Sequence, residues 1–402
     1  MLRLSTSLMY SNSLTGILEQ EAAFSHVQQQ ISSGRQVLTP ADDPLAAAQE
    51  IKLGQAQSIN TAYTFNRDVA KQALSLEEVV LSQVITLMHG VLTRVIEAGN
   101  GTYGDADWQA LRFVIEDIRT ELLNQANTMD SDGQYLFSGY LSNMPPYDTT
   151  ATYVGDRGQR MVQIDQSRVI ESGDIGTDIF NRATPGADEY VAEATSANTG
   201  TGTFGSISVV PGGANVGRDF LLSFQVGGGG GLEYVVTVTP PGTSQPPVPY
   251  VPGTTIDMGG VSLTMKGTPA PGDTFMINTA QTANMDLFNT LDQLVIALGT
   301  QTAGDPLSKA RLENVLTTSN QKLRLAYDNM LLVRASVGAR LNELDDSDII
   351  GNKRDEFYAR QEPDLTRLLT STITERDLRK VILEAAIQTF RSSQDLNLFT
   401  LR

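Results

Sequence analysis

The sixteen prolines of this 402-residue chain are spread so unevenly that they mark where long helices can run. None falls in residues 45–144 or 307–362, and a proline inside a helix removes a hydrogen bond and clashes with the preceding turn, at a cost of about 3 kcal/mol. Both stretches can therefore be helical throughout. Asp43 is placed to cap the first, and Pro44 suits the first helical position, where its missing N–H has no intrahelical partner to lose. Within this stretch Leu74, Leu81, Val84, Met88, Val91, Val95 and Ala98 step by three and four after an initial seven, the spacing of a coiled-coil seam. Unbroken from Pro44 to Ala98, such a helix would be roughly 80 Å long at about 1.5 Å per residue. Gly99 to Gly104 ends it. Asp105 or Asp107 can then cap an antiparallel helix carrying Trp108, Leu111, Ile115, Ile118, Leu122, Ala126 and Met129 on one stripe. In the second stretch Leu312, Leu316, Ser319, Leu323, Ala326, Met330, Val333, Val337, Arg340 and Leu344 keep a 4,3 spacing, so three helices are predicted to form a rod-like bundle.

Between the helical blocks the composition changes. Residues 201–280 hold 25 Gly plus Pro, against 3 in residues 44–98, so helix cannot dominate there. Short runs at Asp219 to Val226, Glu233 to Thr239, Gly260 to Met265 and Asp273 to Thr279 read as strands between turn signals. A weaker strand-rich stretch spans Gln134 to Phe180, with strands expected at Tyr153-Val154, Met161 to Ile164 and Val169-Ile170. Ala183 to Gly202 reads as a linker. The expected fold class is α+β: an elongated, coiled-coil-like helical bundle built from N- and C-terminal segments, with inserted β-rich outer domains. The predicted division is a heptad segment at 1–43, a bundle from 44–133 and 284–350, a β-rich region at 134–182, a second inserted β-domain at 183–282, and an amphipathic C-terminal helix at 351–402.

The two ends share a pattern. Tyr10, Ile17, Phe24 and Ile31 recur every seven residues, with Leu14, Leu18 and Val27 beside them. Leu365, Leu368, Leu369 and Ile373, then Val381, Ile382, Ala385, Ala386, Phe390 and Leu396, form a broken amphipathic pattern at the other end. Isolated helices of this kind are marginal in water, so apolar stripes at both termini point to partners: each other and neighbouring subunits. The expected subunit-contact residues are Tyr10, Leu14, Ile17, Phe24, Ile31, Leu365, Leu369, Ile382, Ala386, Phe390 and Leu396, with both terminal segments ordered by assembly.

Charge and composition weigh against other roles. A formal net charge of -17 with no Lys/Arg cluster disfavours nucleic acid, whose affinity comes from basic side chains releasing counterions, and equally an electrostatic membrane anchor. No run of about 18 apolar residues stands out as a span, and a soluble protein is expected. The absence of cysteine removes disulfides and thiol chemistry. The first residues lack the apolar core and cleavage site of a secretory signal. No catalytic, cofactor or metal site is expected. Gly227 to Gly231 lacks the Lys-Ser/Thr of a phosphate loop and reads as a hairpin connection. Asp130-Ser-Asp-Gly133 fails the calcium-loop pattern, which would need Thr128 and Gly139 as ligands, and reads as a turn. His26 and His89 have no metal-ligand spacing around them, and the acidic pairs Asp42-Asp43 and Asp345-Asp346 read as caps and solvated positions.

Several motifs carry a family likeness. Gln30-Ile-Ser-Ser-Gly-Arg35 followed by Pro40-Ala-Asp-Asp-Pro44 resembles the N-terminal signature shared by flagellins and the hook-associated protein 3 family. Asp42-Asp43-Pro44 is the form typical of the latter. Ala98 to Thr102, Leu123 to Asn127 leading into Gln134-Tyr-Leu-Phe-Ser-Gly-Tyr140, and the leucine-rich end Leu396 to Leu401 are similar to the same family. The likeness covers roughly residues 1–180 and 284–402. Within 183–282 only Gly267-Thr-Pro-Ala-Pro-Gly-Asp-Thr-Phe275 resembles a segment of hook-associated proteins. The resemblance implies a structural, non-enzymatic subunit of the bacterial flagellum, placed extracellularly as a ring of identical subunits between hook-associated protein 1 and flagellin. It also implies export without a cleaved signal, aided by a flagellar export chaperone. A filament-forming flagellin, or an appendage protein whose outer β-domain binds a ligand, are the alternatives.

Overall fold

The computed structural model describes residues 6–99, 103–302, 304–366 and 370–399. In chain order the elements are α1 (Thr6–Ser33), α2 (Pro44–Ala98), α3 (Asp105–Ala126), β1 (Met161–Asp165), β2 (Arg168–Glu171), α4 (Gly176–Phe180), β3 (Tyr190–Ala194), β4 (Thr203–Val209), β5 (Asp219–Val226), β6 (Leu232–Thr239), β7 (Thr243–Ser244), β8 (Val248–Pro249), β9 (Thr255–Asp257), β10 (Val261–Lys266), β11 (Thr274–Thr279), α5 (Leu287–Thr300), α6 (Pro306–Thr366) and α7 (Thr370–Phe399). The class is α+β. Two compact units divide the chain, residues 1–65 with 347–402 and residues 66–346. The division falls inside α2 and α6, whereas the sequence places it at the Asp43–Pro44 helix entry and after residue 350.

In the larger unit the expected α2 seam is buried from Leu74 to Ala98, and it packs with Trp108, Leu111, Ile115, Leu122 and Ala126 of α3 and with the α6 stripe from Leu312 to Leu344. Each such leucine or isoleucine contributes about 1.5–3 kcal/mol by leaving water. A fourth helix, α5, adds Leu287, Leu291, Leu294 and Leu298 to this core. Two positions depart from the expected α3 stripe. Ile118 packs against the core but is only half-buried, and Met129 is exposed because the helix stops at Ala126 and the periodicity lapses beyond it. The cap also differs: Gly104 is the N-cap, and the Asp107 carboxylate reaches back to accept from the Gly104 N–H at 2.9 Å. Among the described residues α2 is the one helix long and apolar enough to cross a membrane by length and composition, with a mean hydropathy of 1.6 over an 18-residue window. The sequence reading did not single it out. Its apolar stripe lies in the bundle core.

Residues 127–160 are mostly loop. Tyr153-Val154 is not a strand; Tyr153 makes a single bridge to Tyr147. What holds this region is an aromatic cluster, in which Tyr147 and Phe180 lie 5.0 and 5.8 Å from the Phe288 ring and Phe137 meets Phe180 edge-on. Gly139 has φ +70, and a Cβ there would meet the Asp156 carboxylate, which accepts from the N–H groups of Tyr140 and Gly158 at 2.9 and 2.7 Å. The Phe137-Ser-Gly-Tyr140 run is thus a buried ring, a close backbone approach and a turn.

The inserted domain holds a 6-stranded antiparallel sheet, ordered β3-β11-β5-β6-β7 with β8 also on β6, and a 3-stranded sheet ordered β4-β10-β9. Phe220, Leu222 and Phe224 of β5 and Tyr234, Val236 and Val238 of β6 alternate inward and share one core with Phe204, Leu263 and Ile256 of the smaller sheet. Gly227 to Gly231 connects β5 to β6 as a hairpin, with the Gly227 N–H donating to the Gly231 carbonyl at 2.8 Å. The Ala183 to Gly202 stretch read as a linker contains β3, the edge strand of the larger sheet. Its Tyr190, Val191 and Ala192 are all buried, so it shows no alternation to read in the sequence.

Candidate assembly interface

The smaller unit begins with a helix, a loop and a second helix. Gly34, at φ +71, ends α1, and its N–H reaches the Ile31 carbonyl at 3.3 Å. The Arg35 guanidinium pairs with Glu50 of α2. Asp42 folds the loop on itself: Oδ2 accepts from the N–H groups of Thr39 and Leu38 at 2.8 and 2.9 Å, and Oδ1 lies 3.0 Å from His26 Nε2. The Thr39 bond above all, then that of Leu38 and the charge of His26, holds this carboxyl below the usual range. Asp43 Oδ1 accepts from the N–H groups of Leu45 and Ala46, each at 3.0 Å, and caps α2 as its spacing predicts. In Asp42-Asp43-Pro44 one carboxylate closes the loop, the next starts the helix, and the proline takes the position that needs no donor.

The termini pair with each other. Helices α1 and α7 pack together, and the rings of Tyr10 and Phe390 lie 5.1 Å apart, which sets the start of α1 beside the last third of α7. In the single chain each terminal helix is thus partnered by the other, one of the two kinds of partner that the apolar stripes point to. The candidate contact residues fall into groups. Ile17, Phe24, Ile31, Ala386 and Phe390 are half-buried, while Tyr10, Leu14 and Ile382 are 48%, 40% and 40% exposed. Leu369 lies outside the described residues, as do the side chains of Leu365 and Leu396. Helix α7 is separate from α6, which continues past 350 because nothing in the proline-free run up to residue 362 stops it, and ends at Thr366, within a turn of Pro363.

Further apolar side chains are exposed in this unit: Leu8, Met9 and Leu18 of α1, Leu378 and Val381 of α7, Leu45, Ile51 and Phe65 of α2, and Ile349, Ile350 and Phe357 of α6. The α2 and α6 members were missed because attention to the 74–98 and 312–344 seams leaves residues 44–65 and 347–362 as mere extensions of a bundle. The signal was present in their composition. Here α2 and α6 are tied by Asn60, whose Nδ2 donates to the Gly351 carbonyl and to Asp355 Oδ1 at 3.0 and 2.7 Å.

The motifs weighed for chemistry have structural employment. Asp130 Oδ1 accepts from the N–H groups of Asp132 and Gln134, each at 2.9 Å, around Gly133 at φ +76. Asp345 pairs with Lys71. Among the described residues no group of three or more His, Cys, Asp or Glu is placed to hold a metal ion.

Comparison with known proteins bears on the whole chain. The bacterial flagellin N-terminal helical region matches residues 4–142. Flagellar hook-associated protein 3 of Escherichia coli K12 is 29% identical over 402 residues, covering 100% of this chain and 99% of the relative. The crystal structure of flagellar hook-associated protein 3 from Legionella pneumophila superposes with a TM-score of 0.68 at 27% identity, covering 78% of this chain and 98% of that one. FlgL of Xanthomonas campestris superposes with a TM-score of 0.66 at 26% identity, covering 77% and 98%.

Proposed function

We propose that this chain, which is 29% identical over 402 residues to flagellar hook-associated protein 3 of Escherichia coli K12 and carries a match to the flagellin N-terminal helical region, is a structural subunit of the bacterial flagellum at the hook–filament junction. In this reading identical subunits form a ring with hook-associated protein 1 on one side and flagellin on the other. The chain is delivered outside the cell by the flagellar export route and its chaperone. The work is mechanical, with no turnover.

The observation that carries the reading is the apolar surface left open on a helix pair that has already formed. Leu14 and Leu18 of α1 are 40% and 56% exposed, and Val381 and Ile382 of α7 are 61% and 40% exposed. Burying each such side chain at a subunit contact yields about 1.5–3 kcal/mol, and a ring repeats the gain at every contact. The subunit-contact surface is therefore assigned to Tyr10, Leu14, Ile17, Phe24, Ile31, Ile382, Ala386 and Phe390, extended by Leu365, Leu369 and Leu396. Asp at Leu14 and Ile382 together tests it. Immunolabelling should lose the single band at the distal end of the hook while the purified variant keeps its far-UV circular dichroism. Normal bands and filaments in that strain would overturn the reading, and label along the whole filament would make the protein a flagellin.

A further inference from the structure

We propose that residues 311–325 of α6 are a mounting seam that fixes the inserted β-domain to the bundle, with Thr318, Gln321 and Asn314 as its positioning residues. The bundle stripe of α6 uses Leu312, Leu316, Leu323 and Ala326. Beside it, Arg311, Asn314, Thr318, Gln321 and Leu325 recur at three- and four-residue steps, with Lys322 next to Gln321, and so share a second face of the helix.

That face meets the exposed ends of two sheets. Strand β3 is the edge of the 6-stranded sheet, and the edge-facing N–H and C=O of Ala192 have no strand to pair with. Helix α6 supplies both partners. Gln321 Oε1 accepts from the Ala192 N–H at 2.9 Å, and the Thr318 hydroxyl donates to the Ala192 carbonyl at 2.7 Å. Strand β4 is the edge of the 3-stranded sheet, and there Asn314 accepts from the Phe204 N–H at 3.2 Å and donates to the Gly202 carbonyl at 2.9 Å. Lys322, 2% exposed, is neutralised by Glu193 of β3 at 3.1 Å. Leu325 closes the seam against Val191, Ala183 and Met285.

The Gly267 to Phe275 segment, whose likeness to other proteins the junction role leaves unexplained, prepares the surface that the seam grips. Buried Asp273 accepts from the N–H groups of Thr199, Gly200 and Ala270 at 2.8, 3.0 and 2.8 Å. Asn198 clasps the N–H and carbonyl of Thr274, each at 2.9 Å. A Cβ at Gly200 would come within 2.2 Å of the Ala270 nitrogen, so only glycine lets the two loops close. The loop so held presents the carbonyls of Asn198 and Gly202 to Arg311 and Asn314. Side chains of one helix thereby replace a missing strand on two sheets at once, and the β-domain is carried as part of the bundle.

The full chain provides the test. It has no cysteine, so Gln83→Cys on α2 and Val226→Cys on β5, both exposed, can take spin labels. With the native seam the label-to-label distance distribution should be narrow. In Thr318→Val with Gln321→Leu it should broaden, and hydrogen exchange at Ala192 should speed at least tenfold, while peptides from β5 keep their protection. Thr318→Ser, which retains the hydroxyl, should restore the narrow distribution when introduced without the Gln321 change. A broad distribution with the native seam, or an unchanged one in the double variant, would overturn the proposal. So would loss of β5 protection alongside Ala192, since these contacts would then belong to the folding of the domain and not to its attachment.

Discussion

Glu77 of α2 accepts a hydrogen bond from the backbone N–H of Asp174 at 3.2 Å, which sets two carboxylates side by side against the single guanidinium of Arg340. Glu77 is 2% exposed. Burial, and then the charge of Asp174, push its carboxyl well above the ordinary 4.5, with Arg340 offsetting part of the rise. Glu171 faces the same guanidinium at 3.7 Å and is more exposed.

A pH dependence follows from Glu77. Its folded form holds a proton that the unfolded chain has released by about pH 4.5, so the folded state binds more protons above that pH and stability falls as pH rises through the raised pKa. Glu77→Gln lacks this loss. Urea unfolding should show the variant gaining on the native chain as pH rises above 4.5, with the gap closing below it. Parallel stability curves would sink the assignment.

Arg340→Met should act in the opposite direction. It leaves Asp174 without its cation beside Glu77, and breaking a buried ion pair costs about 3 kcal/mol. The unfolding midpoint in urea should drop at neutral pH, and an unchanged midpoint would remove the pair as a stabilising contact.

Gly139→Ala should destabilise by about 2 kcal/mol, since a positive φ and a clash with Asp156 coincide there. Gly133→Ala, also at positive φ but with nothing within 4 Å of the added methyl, should cost less. Thermal melts of the two variants make the comparison, and equal losses would remove the close approach as a cause.

Asp43→Ala removes the cap of α2 and should cost about 1 kcal/mol, felt first in the smaller unit. Faster amide exchange at Leu45 and Ala46, with unchanged exchange near Met88, is the expected pattern. Uniform loss of protection would mean that the two units unfold together.

What could be read from the sequence was local and repeated. The α2 and α6 seams, the Asp43-Pro44 start and strand β5 each announce themselves within a few residues through spacing or a cap. What escaped depends on distant partners. Ala192 became a strand residue only through β11 and α6, and its small side chain, buried like its neighbours, left no alternation. Asn314, Thr318 and Lys322 are buried polar residues whose partners lie more than 100 residues away, so they pass for the solvated side of a helix. The proposed interface is half legible. The terminal heptads single out Tyr10, Leu14 and Ile382, which the fold leaves exposed, but that Ile17, Phe24, Ile31, Ala386 and Phe390 are half-buried follows only from the pairing of α1 with α7.

The glycine hairpin between β5 and β6 offers a practical opening. Gly228, Gly229 and Gly231 have nothing within 4 Å of an added side chain, while Gly227 is hemmed in by Glu233. A short epitope spliced after Gly229 would extend a loop already closed by its flanking strands, at a small entropic cost that grows only slowly with length. The position can therefore carry a short reporter peptide without disturbing the strands on either side.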